Sequence, residues 1–242
     1  MVADELKLIL RADTAKAVRA MRNAQQQTDK TGASMTSLVK GLAKTALGFG
    51  ATVLSVRGLV SIMKQSVAAF RQQEEAEARL RGALLATGEN AERVGGQVAR
   101  LAAELQQVTV FGDEATIEAA GLLQSLADLD SKGLQKVIPA VQDFATGMGM
   151  DLNNAARLIG RTLSSSTNAL SRYGIEIDAG ASKSEKLEQI TEALNEKFGG
   201  LSREMADTAS GSLKQMNNAL GDLGEQIGAG VLDFFEGAIR GT

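Results

Sequence analysis

Between residues 35 and 70 the apolar side chains of this 242-residue chain recur at alternating steps of four and three. Met35, Val39, Leu42, Ala46, Phe49, Val53, Val56, Val60, Met63, Val67 and Phe70 hold that spacing without a break. A strand alternates with period two. A repeat of 3.5 residues held over about five heptads instead predicts a helix with a narrow apolar seam. Such a seam packs against a second helix as a left-handed coiled coil or a tight hairpin, and it marks these residues for self-association. The seam turns acidic at Glu74 and Glu77, and the helix is expected to close near Thr87-Gly88, where glycine adopts the left-handed conformation. A second seam of smaller residues passes through Ala206, Ala209, Leu213, Met216, Leu220, Leu223, Ile227, Gly230 and Phe234. Glycines 221, 224, 228 and 230 punctuate it, each costing about 1 kcal/mol relative to alanine in an isolated helix. That helix is expected to be ordered by its partners.

Shorter helices fill the space between the seams. One is expected over about 90–107, stopping before the β-prone Val108-Thr109-Val110-Phe111. Asp113 caps the next, over 114–129, and a third covers 132–146 with Pro139 inside it, where proline should kink or shorten the helix. Asp151 caps a fourth that ends near Leu163. Residues 164–181 are serine-rich and hold one strand-like fragment, Ile175-Glu176-Ile177. Ser182 and Glu185 have capping-box spacing, and Leu187, Ile190, Leu194 and Phe198 stripe the helix that follows. The organisation is therefore all-α: a polar arm over 1–33, a heptad helix over 34–74, a compact glycine-jointed helical domain over 75–200 and an extended helix over 201–242.

Composition narrows the chemistry. The chain has no Cys, His or Trp and a single Pro. Thiolate nucleophiles, imidazole bases, Cys/His zinc sites and disulfides are excluded. Aromatics are 3% of residues, so the core must be built from Ala, Leu, Val, Ile and Met, with close helix–helix approach supplying stability. Asp128-Leu-Asp130 opens like a calcium loop, but Lys132 stands at a ligand position and Pro139 where the bidentate Glu belongs. Gly48-Phe-Gly50 and Gly147-Met-Gly149 lack the further residues of a nucleotide loop and read as helix punctuation. Glu74, Glu75 and Glu77 lie beside Arg71, Arg79 and Arg81 at helical spacing, which reads as surface ion pairing rather than a catalytic acid pair. Tyr173 has no second aromatic in its turn, so it reads as an anchor rather than a base-stacking platform. A non-enzymatic chain follows, with no metal, no cofactor and no specific nucleic-acid site.

The charge is uneven. Residues 1–73 hold 11 Lys/Arg against 4 Asp/Glu, and residues 74–242 hold 15 against 25. The two parts are expected to meet different surroundings, as solvated faces or as a basic arm against an anionic surface. Residues 45–63 contain only one charge, Arg57, between Lys44 and Lys64. That length approaches a membrane span. A membrane-active helical protein inserting through this run is the alternative to a packed seam.

Several stretches together carry a family resemblance. In order they are Leu80-Arg81-Gly82-Ala83-Leu84-Leu85-Ala86-Thr87-Gly88, Phe111-Gly112-Asp113-Glu114-Ala115 and Met148-Gly149-Met150-Asp151-Leu152. The Arg172-Tyr173-Gly174 turn, Phe198-Gly199-Gly200 and Gly221-Asp222-Leu223-Gly224-Glu225 complete the set. In this order and spacing, from about Phe70 onward, the chain resembles the N-terminal helical region of tail tape-measure proteins of long-tailed phages. The resemblance implies a small hairpin around Tyr173 and Gly174, a short charged helix, the FGG turn and a polar final helix. It implies a structural role: several copies lying in the tail-tube lumen, setting tail length during assembly in the host cytoplasm and leaving first at infection. Implied partners are the tail tube protein, tail assembly chaperones, tail-tip or baseplate proteins and further copies of the chain, with host membrane contact at ejection. Members of that family continue well past the equivalent of residue 242, so the resemblance implies an N-terminal portion or a shortened version. A helix rises about 1.5 Å per residue, so a fully helical chain of this length would span roughly 360 Å.

Overall fold

The structure, a computed structural model, describes residues 56–240. It is all-helical over those residues, with no strand among them. The helices are α1 (Val56–Ala86), α2 (Ala91–Gln106), α3 (Asp113–Ala127), α4 (Ser131–Met148), α5 (Leu152–Ser164), α6 (Lys183–Phe198), α7 (Leu201–Ala206) and α8 (Ala209–Arg240), with a 3-10 turn at Ser171–Tyr173. The polar arm, the seam residues from Met35 to Val53 and positions 45–55 of the apolar run lie outside the described residues. Among the described residues no helix is long and apolar enough to cross a membrane.

Residues Glu75–Gly211 form one compact unit, and a second takes in the chain before and after it. The helix ends of the first unit follow directly from local chemistry. Asn90 accepts the Arg93 N–H at 2.8 Å, Asp130 the Gly133 N–H at 2.8 Å and Asp151 the Asn153 N–H at 2.9 Å. Ser182 and Glu185 bond reciprocally as a capping box. Gly88, at φ +78°, closes α1: the Glu89 N–H reaches Leu84 O and the Gly88 N–H reaches Leu85 O. Gly149, at φ +61°, repeats the pattern on Ala145 O and Thr146 O.

The core runs through Leu80 and Leu84 of α1, Val94 and Val98 of α2, Ile117 and Leu123 of α3, Val137, Val141 and Phe144 of α4, and Ile159 of α5, with Ile190 and Leu194 of α6 closing it. Helix α3 packs most extensively on α5, and α4 on α6. Small residues set these approaches. A Cβ at Gly160 of α5 would lie 2.9 Å from Leu126 Cβ of α3, and one at Gly121 would lie 3.3 Å from the Leu80 backbone of α1.

Four local expectations are corrected. Pro139 neither ends nor shortens its helix, because α4 runs unbroken from Ser131 to Met148. Proline removes only the bond to the carbonyl of residue 135, and Gln135 is exposed, so that carbonyl is not sealed away from solvent. The β-prone Val108-Thr109-Val110 is a turn that carries Thr109 and Val110 into the core. Gly112, not Asp113, is the N-cap of α3, which ends at Ala127 with Asp128 left-handed. The fragment at Ile175 forms no hairpin. It has no partner strand among the described residues, and side chains take its backbone groups: Asn168 Nδ2 donates to Ile175 O, and the Asp178 N–H donates to Gln189 Oε1.

The α3–α5 contact yields a direct test. Gly160→Val places a side chain against Leu126 and is expected to destabilise the chain by about 1–3 kcal/mol through overpacking. Urea unfolding should show that cost shrinking in a Leu126→Ala background. An equal cost in both backgrounds would place the strain elsewhere.

Candidate functional site

Four aromatic rings fall between residues 75 and 211, and three of them meet. Phe144 of α4 is fully buried, with the Tyr173 ring at 5.4 Å and the Phe198 ring at 5.5 Å between centroids, both edge-on. Such pairs add about 0.5–1.5 kcal/mol beyond the area they bury. Gly147 makes room, since a Cβ there would run into the Phe198 ring. The Lys197 ammonium donates to Gly174 O, and Arg172 lies 5.5 Å above the Tyr173 ring. The Arg172-Tyr173-Gly174 turn and the Phe198-Gly199-Gly200 turn, distant in sequence, thus converge on one helix.

Asp143, next to that anchor and 8% exposed, binds the far side of the same joint. Its carboxylate accepts the Gly200 N–H at 2.8 Å, the Ser202 N–H at 2.9 Å and the Ser202 hydroxyl. It therefore caps the start of α7 from a different helix. Three lysines of α6 perform the reverse service for helix C-termini. Lys183 Nζ donates to Asp128 O at the end of α3 at 2.8 Å, and Lys186, 7% exposed, donates to Ser165 O at the end of α5 at 2.7 Å. Lys197 does the same for the 3-10 turn, and Lys136 of α4 pairs with Glu188. Cations at helix C-termini bond the unpaired carbonyls and complement the dipole. Hydrogen bonds from the Ser182 side chain and then the Ser182 backbone hold the Glu185 carboxyl below its ordinary value.

The remaining residues singled out in the sequence are spread over several helices. Phe111 is partly buried against the core, and Gly112, Asp113 and Glu114 open α3, with the Asp113 N–H on Gln106 Oε1 at 2.7 Å. Glu75 pairs with Arg79 at i,i+4, and Arg79 reaches on to Glu118 of α3 at 2.8 Å. Of the first seam, Val56, Val60, Met63, Val67 and Phe70 are helical in α1. The second seam is not one helix: Ala206 ends α7, and residues 207 and 208 separate it from Ala209 in α8. On α8 Leu213 and Leu220 are exposed, at 45% and 43%, with Met216 half-buried between them. The side chains of Leu223, Ile227, Gly230 and Phe234 lie outside what is described.

Sequence reading missed Asp143, Lys186 and Phe144. Lys186 left a signal, standing four residues before Ile190 and eight before Leu194 on the buried stripe of α6. It also missed a groove of about 350 Å³ between the C-terminal turns of α1 and the first turns of α2. Glu77, Leu80 and Arg81 form one wall, and Ala91, Glu92, Gly95, Gly96 and Ala99 the other, with Ile117 of α3 beneath.

No protein-family model, curated protein or solved structure matches the chain.

Asp143→Ala strands the Gly200 and Ser202 N–H groups, an expected loss of about 1–3 kcal/mol in urea unfolding. Amide exchange should quicken at Gly200 and Ser202 first, and unchanged protection there would refute the capping role. Glu185 gives a pH test. Its folded pKa lies below the unfolded value, so its contribution is complete above the ordinary carboxylate range and lost as pH falls through the folded value. Amide protection at the α6 N-terminus should drop on acidification from about pH 6 to about pH 2, and Ser182→Ala should flatten that drop.

Proposed function

We propose that this chain is a structural protein of the tape-measure type from a long-tailed phage. Copies lie along the lumen of a tail tube, set its length during assembly and leave at infection. One observation carries the reading: five of the six stretches that resemble the family, taken in order, fall at the joints between helices, and only Gly221-to-Glu225 lies inside one, α8. The Leu80-to-Gly88 stretch closes α1, Phe111-to-Ala115 opens α3, and Met148-to-Leu152 joins α4 to α5. Arg172-Tyr173-Gly174 and Phe198-Gly199-Gly200 meet on Phe144. Joint residues are the ones a helical scaffold can least exchange, so a resemblance concentrated there is a resemblance of architecture.

The unbroken four-three seam supports a coiled coil of several copies, and the exposed Leu213 and Leu220 offer a second self-association face. The partners this role requires are the tail tube protein, assembly chaperones and tail-tip or baseplate proteins. Nothing in it requires catalysis or a cofactor.

Deletion of whole heptads between Val39 and Val67 tests the ruler. Removing seven or fourteen residues preserves the seam and should shorten tails by about 10 Å per heptad, measured by electron microscopy of particles. Removing five breaks the seam and should lower the yield of tails. Tails of unaltered length at normal yield after heptad deletion would sink the ruler role for these residues.

A further inference from the structure

Arg81 and Leu85 continue one row along the last turns of α1, four residues apart and so about 6 Å along its axis. Arg81 lines the groove between α1 and α2. Leu85 stands beside the end of that groove, because only residues 87–90 separate α1 from Ala91, which lines the opposite wall. Leu85 is 62% exposed, more than any other large apolar side chain among the described residues. Its neighbour Leu84 is fully buried, so the two leucines face opposite surroundings. Leu80 and Ile117 lie at the bottom of the groove, and Ala91 and Ala99 run along its α2 wall. Arg81 on one wall and Glu92 on the other are exposed, and among the described residues neither side chain has an ion pair or hydrogen bond. One small area of surface thus carries an apolar projection, an apolar recess, an unpaired cation and an unpaired anion.

We propose that this surface pairs with the same surface of a second copy about a two-fold axis. Leu85 of each copy enters the groove of the other, and Arg81 of each meets Glu92 of the other. Complementarity selects the occupant. A two-fold sets a patch against itself, so that residue i meets j and j meets i. Here one operation fills both grooves, takes both leucines out of water and pairs all four charges. A different partner would have to present an aliphatic side chain, a carboxylate and a cation at the same spacing, which a second copy presents by having the same surface. The groove, about 350 Å³, is wider than one leucine. The aliphatic stem of Arg81 follows Leu85 into it while the guanidinium stays at the rim. Leu85 does not fill the groove of its own chain, being exposed. The contact is confined to a few side chains, short of the roughly 800 Å² per partner of a stable interface, so it is weak and reversible. It stands independently of the phage-tail reading.

The chain has no Trp and no Cys, so a single introduced probe reports alone. Full-length Leu85→Trp protein should show blue-shifted emission shielded from acrylamide. Arg81→Glu in the same chain sets carboxylate against carboxylate across the axis and should return the emission to that of an exposed indole. Adding an excess of Glu92→Arg protein, which contains no Trp, should restore the shift, because the two introduced charges are then opposite. Recovery in trans is a result that packing within one chain does not give. Circular dichroism checks that the helices persist. Should Leu85→Trp lose them, Leu85→Cys carrying an environment-sensitive fluorophore repeats the series. Exposed emission from the Leu85→Trp protein overturns the proposal. So does a shift that survives Arg81→Glu, or one that the Glu92→Arg protein fails to restore.

Discussion

Unpaired backbone groups at helix ends are the constraint on which this unit depends. Each helix leaves four N–H groups at one end and four carbonyls at the other without partners inside the helix. A unit assembled from many short helices multiplies such ends, and a core of small side chains has little surplus energy to leave them unsatisfied. The response is to cap ends from neighbouring elements. Asp143 of α4 closes the start of α7, while Lys183 and Lys186 of α6 close the ends of α3 and α5. Helix α6 is charged along most of its length, yet it is held in place by that charge, because its lysines reach the terminal carbonyls of two other helices. Capping and tertiary packing are here the same contacts.

The second constraint is size. With three of the unit's four rings gathered at Phe144, most helix crossings are filled by aliphatic side chains and have no ring between them. They close by approach instead: Gly121 admits the α1 backbone, and Gly160 admits Leu126. Two buried glutamines cross the remaining gaps in the same manner. Gln124 donates to the Thr87 hydroxyl and Gln142 to the Thr116 hydroxyl, and each threonine passes its own proton back to a carbonyl of its own chain neighbourhood. The pairs tie α3 to the end of α1 and α4 to α3 by directional bonds where apolar area is scarce.

What could be read in the sequence was what depends on neighbours in sequence. The caps at Asp151 and Ser182, the glycine stop at Gly88 and the Glu75–Arg79 pair all involve residues within four positions. What could not be read depends on distance along the chain. Asp143 is 57 residues from Gly200 and 59 from Ser202, and no pattern around Asp143 announces a cap for another helix. Tyr173 read as a hairpin anchor because its partner Phe144 lies in a separate helix. Ile175-Glu176-Ile177 read as strand on propensity alone, and strand propensity expresses packing against a neighbouring strand that the described residues do not supply there. The groove was invisible because its lining is drawn from three separate helices.

The compact unit also limits where the proposed ruler role could act along the chain. A residue adds about 1.5 Å to a span only when its helix runs along the measured axis. Between Glu75 and Gly211 the chain reverses through many short helices, the longest of them lying wholly inside the unit being α4 with 18 residues, about 27 Å of rise. Drawn out as one helix, the same stretch would measure roughly 205 Å. Packed length and contour length therefore diverge there by a large factor. Changes in residue number inside the unit alter its stability before they alter any span, because each helix is fixed at both ends by caps and crossings. If the proposed tape-measure reading holds, length would be set by residues outside the unit. Rich in joints and caps, it holds a packed length that does not grow in step with residue number.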